Sequence, residues 1–122
     1  MKITIADRFT ASATAWLKSH AEFDVVVSTD PVVLSQTEAL IVRSQVKLSK
    51  DVLLSMPKLK YVVTATVGFD HIDLESCREQ NIKLAHCPEA HSAAATELTW
   101  ALLLSCARKL KAADKTVRTQ DW

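Results

Sequence analysis

The chain of 122 residues contains a single glycine, Gly68. Phosphate-binding loops of the dinucleotide or P-loop kind need several glycines at fixed spacing, because the backbone must approach a pyrophosphate closely. One glycine excludes both, so these residues are not expected to hold a nucleotide in either way. Proline is nearly as scarce, with only Pro31, Pro57 and Pro88 to break helices or strands. The three cysteines, Cys77, Cys87 and Cys106, are odd in number and form no CxxC pair. They read as reduced thiols, and the expectation is a cytoplasmic protein. No sign of charge dominates: 15 Lys and Arg against 14 Asp and Glu give a formal net charge of +1. Scattered charges of this kind make no footprint for nucleic acid or an anionic membrane. The longest apolar stretch, Leu98 to Ala107, contains Thr99 and Ser105 and falls far short of the ~20 residues that cross a bilayer. The opening Met1-Lys2-Ile3-Thr4-Ile5-Ala6-Asp7-Arg8 lacks the apolar core of a secretion signal.

What is present is a regular alternation. Lys2–Ala6 reads as a first strand and Ala11–His20 as a helix with Ala13, Trp16 and Leu17 inward. Phe23–Val27 makes a second strand with three consecutive valines, and Pro31–Gln36 a short helix with Asp30 as N-cap and Pro31 at N1. Ala39–Val42 is a third strand, followed by a helix at Lys50–Ser55 that Ser49 can cap. Leu59–Ala65 is a fourth strand, Leu74–Gln80 a helix capped by Asp73, and Lys83–His86 a fifth strand. Runs of Val, Ile and Leu separated by helices indicate a parallel sheet covered on both faces. The expected fold is α/β: a flavodoxin-like, doubly wound parallel five-stranded sheet that binds ligands at the carboxyl ends of its strands. From Ala93 to Thr119 nothing breaks the helical pattern, and one long helix of about 40 Å is expected. Leu98, Leu102, Cys106, Leu110, Ala113 and Val117 mark its apolar stripe.

Three strand ends carry the candidate chemistry. The third strand ends in Val42-Arg43-Ser44, with Lys47 just beyond. An Arg fork, a hydroxyl and an ammonium there suit a carboxylate or phosphate, although without further information they read first as a solvated Arg and Lys on a surface loop. The fourth strand ends in Ala65-Thr66-Val67-Gly68-Phe69-Asp70-His71-Ile72-Asp73, where a turn at the lone glycine exposes backbone N–H groups to an anion. After the fifth strand come Cys87-Pro88-Glu89-Ala90-His91 and then Ser92 to Glu97, opening the long helix. Asp73 is best explained as an N-cap and Glu97 as a complement to the helix dipole. His71, His86, His91 and Cys87 follow no standard zinc spacing, so no metal site is expected.

Together these segments carry a resemblance. Val42-Arg43-Ser44-Gln45-Val46-Lys47 is similar to the Val-Arg-Ser-x-x-Lys segment of D-2-hydroxyacid dehydrogenases. Gly68-Phe69-Asp70-His71-Ile72-Asp73 resembles their Gly-x-Asp-x-hydrophobic-Asp turn. Pro88, then Ser92-Ala93-Ala94-Ala95-Thr96-Glu97-Leu98-Thr99, resembles their Pro-x-x-Asn-x-x-x-x-x-Glu segment. Ala107-Arg108 and Asp121-Trp122 sit where the family has an Ala-Arg in a leucine-rich helix and a terminal Trp. The resemblance implies a substrate-binding part, residues 1–92, followed by a crossover helix, residues 93–122, leading to an NAD-binding domain absent from these residues. NAD would serve the full-length parent, with no cofactor held by this part.

It implies further that Arg43, Ser44 and Lys47 contact the acid or phosphate ends of a small anionic hydroxy acid such as 3-phosphoglycerate. The backbone at Val67 and Gly68 would take its carboxylate, and His91 would face the substrate where the family usually has Asn. No catalytic residue is assigned, because the family's catalytic arginine, carboxylate and histidine lie beyond Trp122. Thr66-Val67 stands where relatives often have a second glycine or a small polar residue. Either a homodimer built through the long helix or a disordered tail is also expected. The competing readings are a receiver-type signalling module and a non-catalytic flavodoxin-like interaction or dimerisation module. The first is disfavoured because the third strand ends in Arg43 rather than in a phosphorylatable Asp.

Overall fold

The alternating pattern condenses into five four-residue strands, four of them with β-branched residues: Lys2–Ile5 (β1), Asp24–Val27 (β2), Ala39–Val42 (β3), Tyr61–Thr64 (β4) and Lys83–His86 (β5). The computed structural model that shows them describes residues 1–89 and 92–120. All neighbours pair in parallel in the order β2-β1-β3-β4-β5. This is the flavodoxin-like arrangement that the alternation of elements implies. The intervening helices are Ala11–Lys18 (α1), Pro31–Leu34 (α2), Lys50–Leu54 (α3) and Leu74–Glu79 (α4).

Side chains alternate across a strand, so each strand feeds two cores. Leu40, Val42 and Val62 point to one face and bury with Leu48, Leu53, Met56, Leu59, Ile72, Cys77 and Ile82. Each such fully buried apolar side chain contributes about 1.5–3 kcal/mol. On the other face Ile3, Ile5, Val25 and Ala39 bury against Phe9, Leu17 and Phe23.

The helix starts follow their caps. Asp30 Oδ1 accepts from the Val32 N–H at 2.8 Å ahead of Pro31. Asp73 Oδ1 accepts from the Ser76 N–H at 3.0 Å. Ser49 occupies the N-cap position of α3, yet its side chain makes no cap bond. Thr10 caps α1, its hydroxyl accepting from the Ala13 N–H at 3.3 Å.

Two expectations are corrected. Trp16 is not inward: it is 65% exposed and stands edge-on to His20, with ring centroids 4.6 Å apart. Ala13 and Leu17 share the face of α1 that meets the sheet, and Trp16 lies about 100° round the helix from Leu17. The second correction concerns the unbroken helix. Ser92–Ala107 (α5) and Leu110–Thr119 (α6) are separate, because Lys109 adopts the left-handed conformation, φ 51°. A side chain there costs roughly 1–2 kcal/mol, so neither composition nor a missing proline announces the break. The Lys109 N–H donates to Cys106 O at 3.1 Å, closing α5, and the Ala113 N–H donates to Lys109 O at 3.0 Å, opening α6.

The chain divides into two compact units, Met1–Pro88 and Glu89–Trp122. Within the second, α5 is apolar all round, with Leu98, Trp100, Leu102, Leu103 and Leu104 each more than half exposed. The single stripe read from the sequence therefore describes α6 better than α5. On α6 Leu110, Ala113 and Val117 oppose Lys111, Asp114, Lys115 and Arg118. Among the described residues no helix is long and apolar enough to cross a membrane.

Candidate functional site

Because Val42 is in register with Thr64, the segments after β3 and β4 leave the sheet side by side at its carboxyl end. They are then tied together. Leu48 bridges Ile72, the Leu48 N–H donates to His71 O at 2.9 Å, and the Asp73 N–H donates to Leu48 O at 2.9 Å. The tie encloses an open cleft of about 430 Å³ that takes in Ser44, Lys47, Asp70, His71 and Asp73. Arg43, Val67 and Gly68 are exposed at the same end of the sheet but do not line this cleft. Neither Arg43 nor Lys47 has an ion-pair partner among the described residues. Their charges are therefore available to an anion. His91, the remaining candidate, lies outside the described residues.

At the end of β4 the backbone is unusually well anchored on its acceptor side. Val67 O accepts from His86 Nδ1 at 3.0 Å, Gly68 O from Thr66 Oγ1 at 2.8 Å, and Phe69 O from the Ile72 N–H at 3.0 Å. The N–H groups of Val67, Gly68 and Phe69, in contrast, donate to nothing among the described residues. Three consecutive free donors at a strand's carboxyl end are what an anion-binding turn offers. Gly68 does not serve this turn through a left-handed φ, since no glycine has one. It supplies room: a Cβ there would stand 3.1 Å from Asp70 Oδ1.

Below the turn runs a chain of side-chain hydrogen bonds whose direction can be worked out. A carbonyl only accepts, so the Thr66 hydroxyl donates to Gly68 O. Thr66 Oγ1 must then accept from the Thr64 hydroxyl, 2.6 Å away, and Thr64 Oγ1 must accept from His71 Nε2–H, 3.1 Å away. This places a proton on His71 Nε2, while Nδ1 is buried and has no partner among the described residues. Nearby, the Ser76 N–H and the other donors of the α4 start hold the Asp73 carboxyl below the usual carboxylate range. Burial, and secondarily the Asp73 charge, push the Cys77 thiol up. Among the described residues no three His, Cys, Asp or Glu side chains converge as metal ligands.

Sequence reading singles out Gly68, weighs His86 only as a metal ligand and Thr66 only as a departure from the family turn, and passes over Thr64. Hydroxyl and imidazole side chains at the carboxyl ends of adjacent strands are the signal that could have found them. Their partners, however, follow from the sheet register and not from any local motif.

Residues 3–119 match the model of the D-isomer specific 2-hydroxyacid dehydrogenase catalytic domain. The chain belongs to this family. A D-3-phosphoglycerate dehydrogenase of Mycobacterium bovis is 32% identical to it over 98% of this chain, which spans 24% of that relative's length. The structure of a D-isomer specific 2-hydroxyacid dehydrogenase from Polaromonas is 30% identical, with a TM-score of 0.76, over 99% of this chain and 40% of its own. A D-lactate dehydrogenase from Aquifex aeolicus, solved with NAD and lactic acid, shares the fold with a TM-score of 0.84 at 24% identity, over 98% of this chain and 38% of its own. The chain thus spans about a quarter to two fifths of the dehydrogenases it matches.

Proposed function

We propose that this chain is the substrate-binding part of an NAD-dependent D-2-hydroxyacid dehydrogenase of cytoplasmic location, acting on 3-phosphoglycerate or a similar small anionic 2-hydroxy acid. In this reading residues 1–92 hold substrate, and residues 93–122 lead to an NAD-binding domain. The observation that carries it is the set of free N–H groups at Val67, Gly68 and Phe69 beside the unpaired Arg43 and Lys47. Backbone donors suit the carboxylate shared by every 2-hydroxy acid. Arg43, Ser44 and Lys47 suit a second anionic group farther along the substrate, and His91 lies in the segment expected to flank it.

The described residues do not fit a dinucleotide, because no glycine-rich turn joins a strand to a helix anywhere among them. No step through NAD is therefore assigned to them. Their work is to grip and orient the acid, which is where positioning lowers a barrier.

The test is turnover by the full-length protein containing this chain, followed through NADH absorbance with 3-phosphoglycerate, glycerate, lactate and the corresponding 2-oxo acids. Activity with at least one of them is expected, and inactivity with all would overturn the reading. The 122-residue chain alone is expected to show no NAD binding by calorimetry. The all-round apolar surface of α5 favours a homodimer, since such a helix is normally buried. Light scattering returning a strict monomer at high concentration would remove that part.

A further inference from the structure

The carboxylate turn works only if its N–H groups face the substrate, and the residues that aim them lie outside the turn's own motif. In a trans peptide the C=O and the following N–H point in opposite directions. His86 on β5 holds Val67 O, so the Gly68 N–H is directed away from His86. Thr66 holds Gly68 O, so the Phe69 N–H is directed away from Thr66. Thr66 is itself oriented through Thr64, whose hydroxyl it receives and which in turn receives the Nε2–H of His71. The two anchors differ in origin: His86 lies 19 residues ahead on the neighbouring strand, and Thr66 sits two residues before Gly68, just past the end of β4.

Resting on the dehydrogenase reading above, we infer that His86 and Thr66 are positioning residues that aim the Gly68 and Phe69 amides at the substrate carboxylate. The requirement at position 86 is then a donor at one place, not an imidazole. Asn carries its amide nitrogen the same number of bonds from Cβ as His carries Nδ1, so Asn can serve. Phe can keep the edge-on contact with Phe69, whose ring centroid is 5.2 Å from that of His86, but it has nothing to donate.

The test uses oxalate as a carboxylate probe and the 15N-labelled 122-residue chain. In the wild type, the Gly68 and Phe69 amide resonances should move as oxalate is added. In His86→Phe and Thr66→Val the oxalate Kd should rise about three- to tenfold, the equivalent of one hydrogen bond. His86→Asn and Thr66→Ser should stay near the wild-type value. In the full-length enzyme assayed with glyoxylate, the loss should fall on KM with kcat little changed, a split that a general loss of folding would not produce. Equal oxalate affinity in wild type and His86→Phe, or failure of His86→Asn to rescue, would overturn the positioning role while leaving the function intact. If neither amide moves in the wild type, the carboxylate site itself falls, and this inference with it.

Discussion

Replacing Thr64 by Val keeps the shape of a side chain that is fully buried at the end of β4 and removes only its hydroxyl. Two bonds go: the donation to Thr66 and the acceptance from His71 Nε2–H. The two former partners fare differently. Thr66 keeps its bond to Gly68 O and is partly exposed, so its loss is small. His71 is left with a half-buried ring whose Nε2–H has no acceptor and whose buried Nδ1 already has no partner among the described residues. An orphaned buried polar group costs about 1–3 kcal/mol. For a unit of this size each kcal/mol is about 4–8 °C in Tm. The first unit should therefore melt several degrees lower in Thr64→Val, followed by circular dichroism or calorimetry. The double variant Thr64→Val with His71→Leu removes both ends of the bond, so it should recover part of the loss, as a coupled pair requires. A Thr64→Val protein within about 0.5 kcal/mol of wild type, the range of an ordinary surface substitution, would refute the proposed direction of the hydrogen bonds. Strictly additive losses in the double variant would do the same.

In the full-length enzyme, Arg43→Ala should lower kcat/KM about ten- to hundredfold, the value of a charge-assisted contact, and an unchanged kcat/KM would return Arg43 to the solvated surface. Iodoacetamide should label Cys87 in the native chain and reach Cys77 only on unfolding, because Cys77 is buried and its thiol is pushed up by that burial; native-state labelling of Cys77 observed by mass spectrometry would contradict the packing. The lowered pKa of Asp73 gives a definite sign. Its stabilisation is present above the ordinary carboxylate pKa of about 4 and is lost as pH falls through the lowered folded value. Asp73→Asn keeps a capping side chain but cannot titrate, so its Tm should fall less steeply on acidification than that of the wild type; parallel acid limbs would count against this.

Much of this protein's character is written locally along the chain. The lone glycine excludes a nucleotide loop, and the β-branched runs between helix caps imply a parallel α/β sheet, because propensity, capping and hydrophobic period are all local properties. The segments Val42 to Lys47 and Gly68 to Asp73 mark the same two strand ends that the sheet brings side by side. Other features depend on distance through space. The bond from His86 to Val67 spans 19 residues and exists only because β5 pairs with β4 in one register. The chain of bonds through His71, Thr64 and Thr66 needs the turn to fold back on its own strand. The apolar character of Trp16 argues for an inward place, but its angle round α1 relative to the sheet decides otherwise. The break at Lys109 uses a left-handed residue with no glycine to signal it. Local chemistry is written residue by residue, whereas strand register and helix rotation are set by how whole elements pack, and tertiary structure alone determines them.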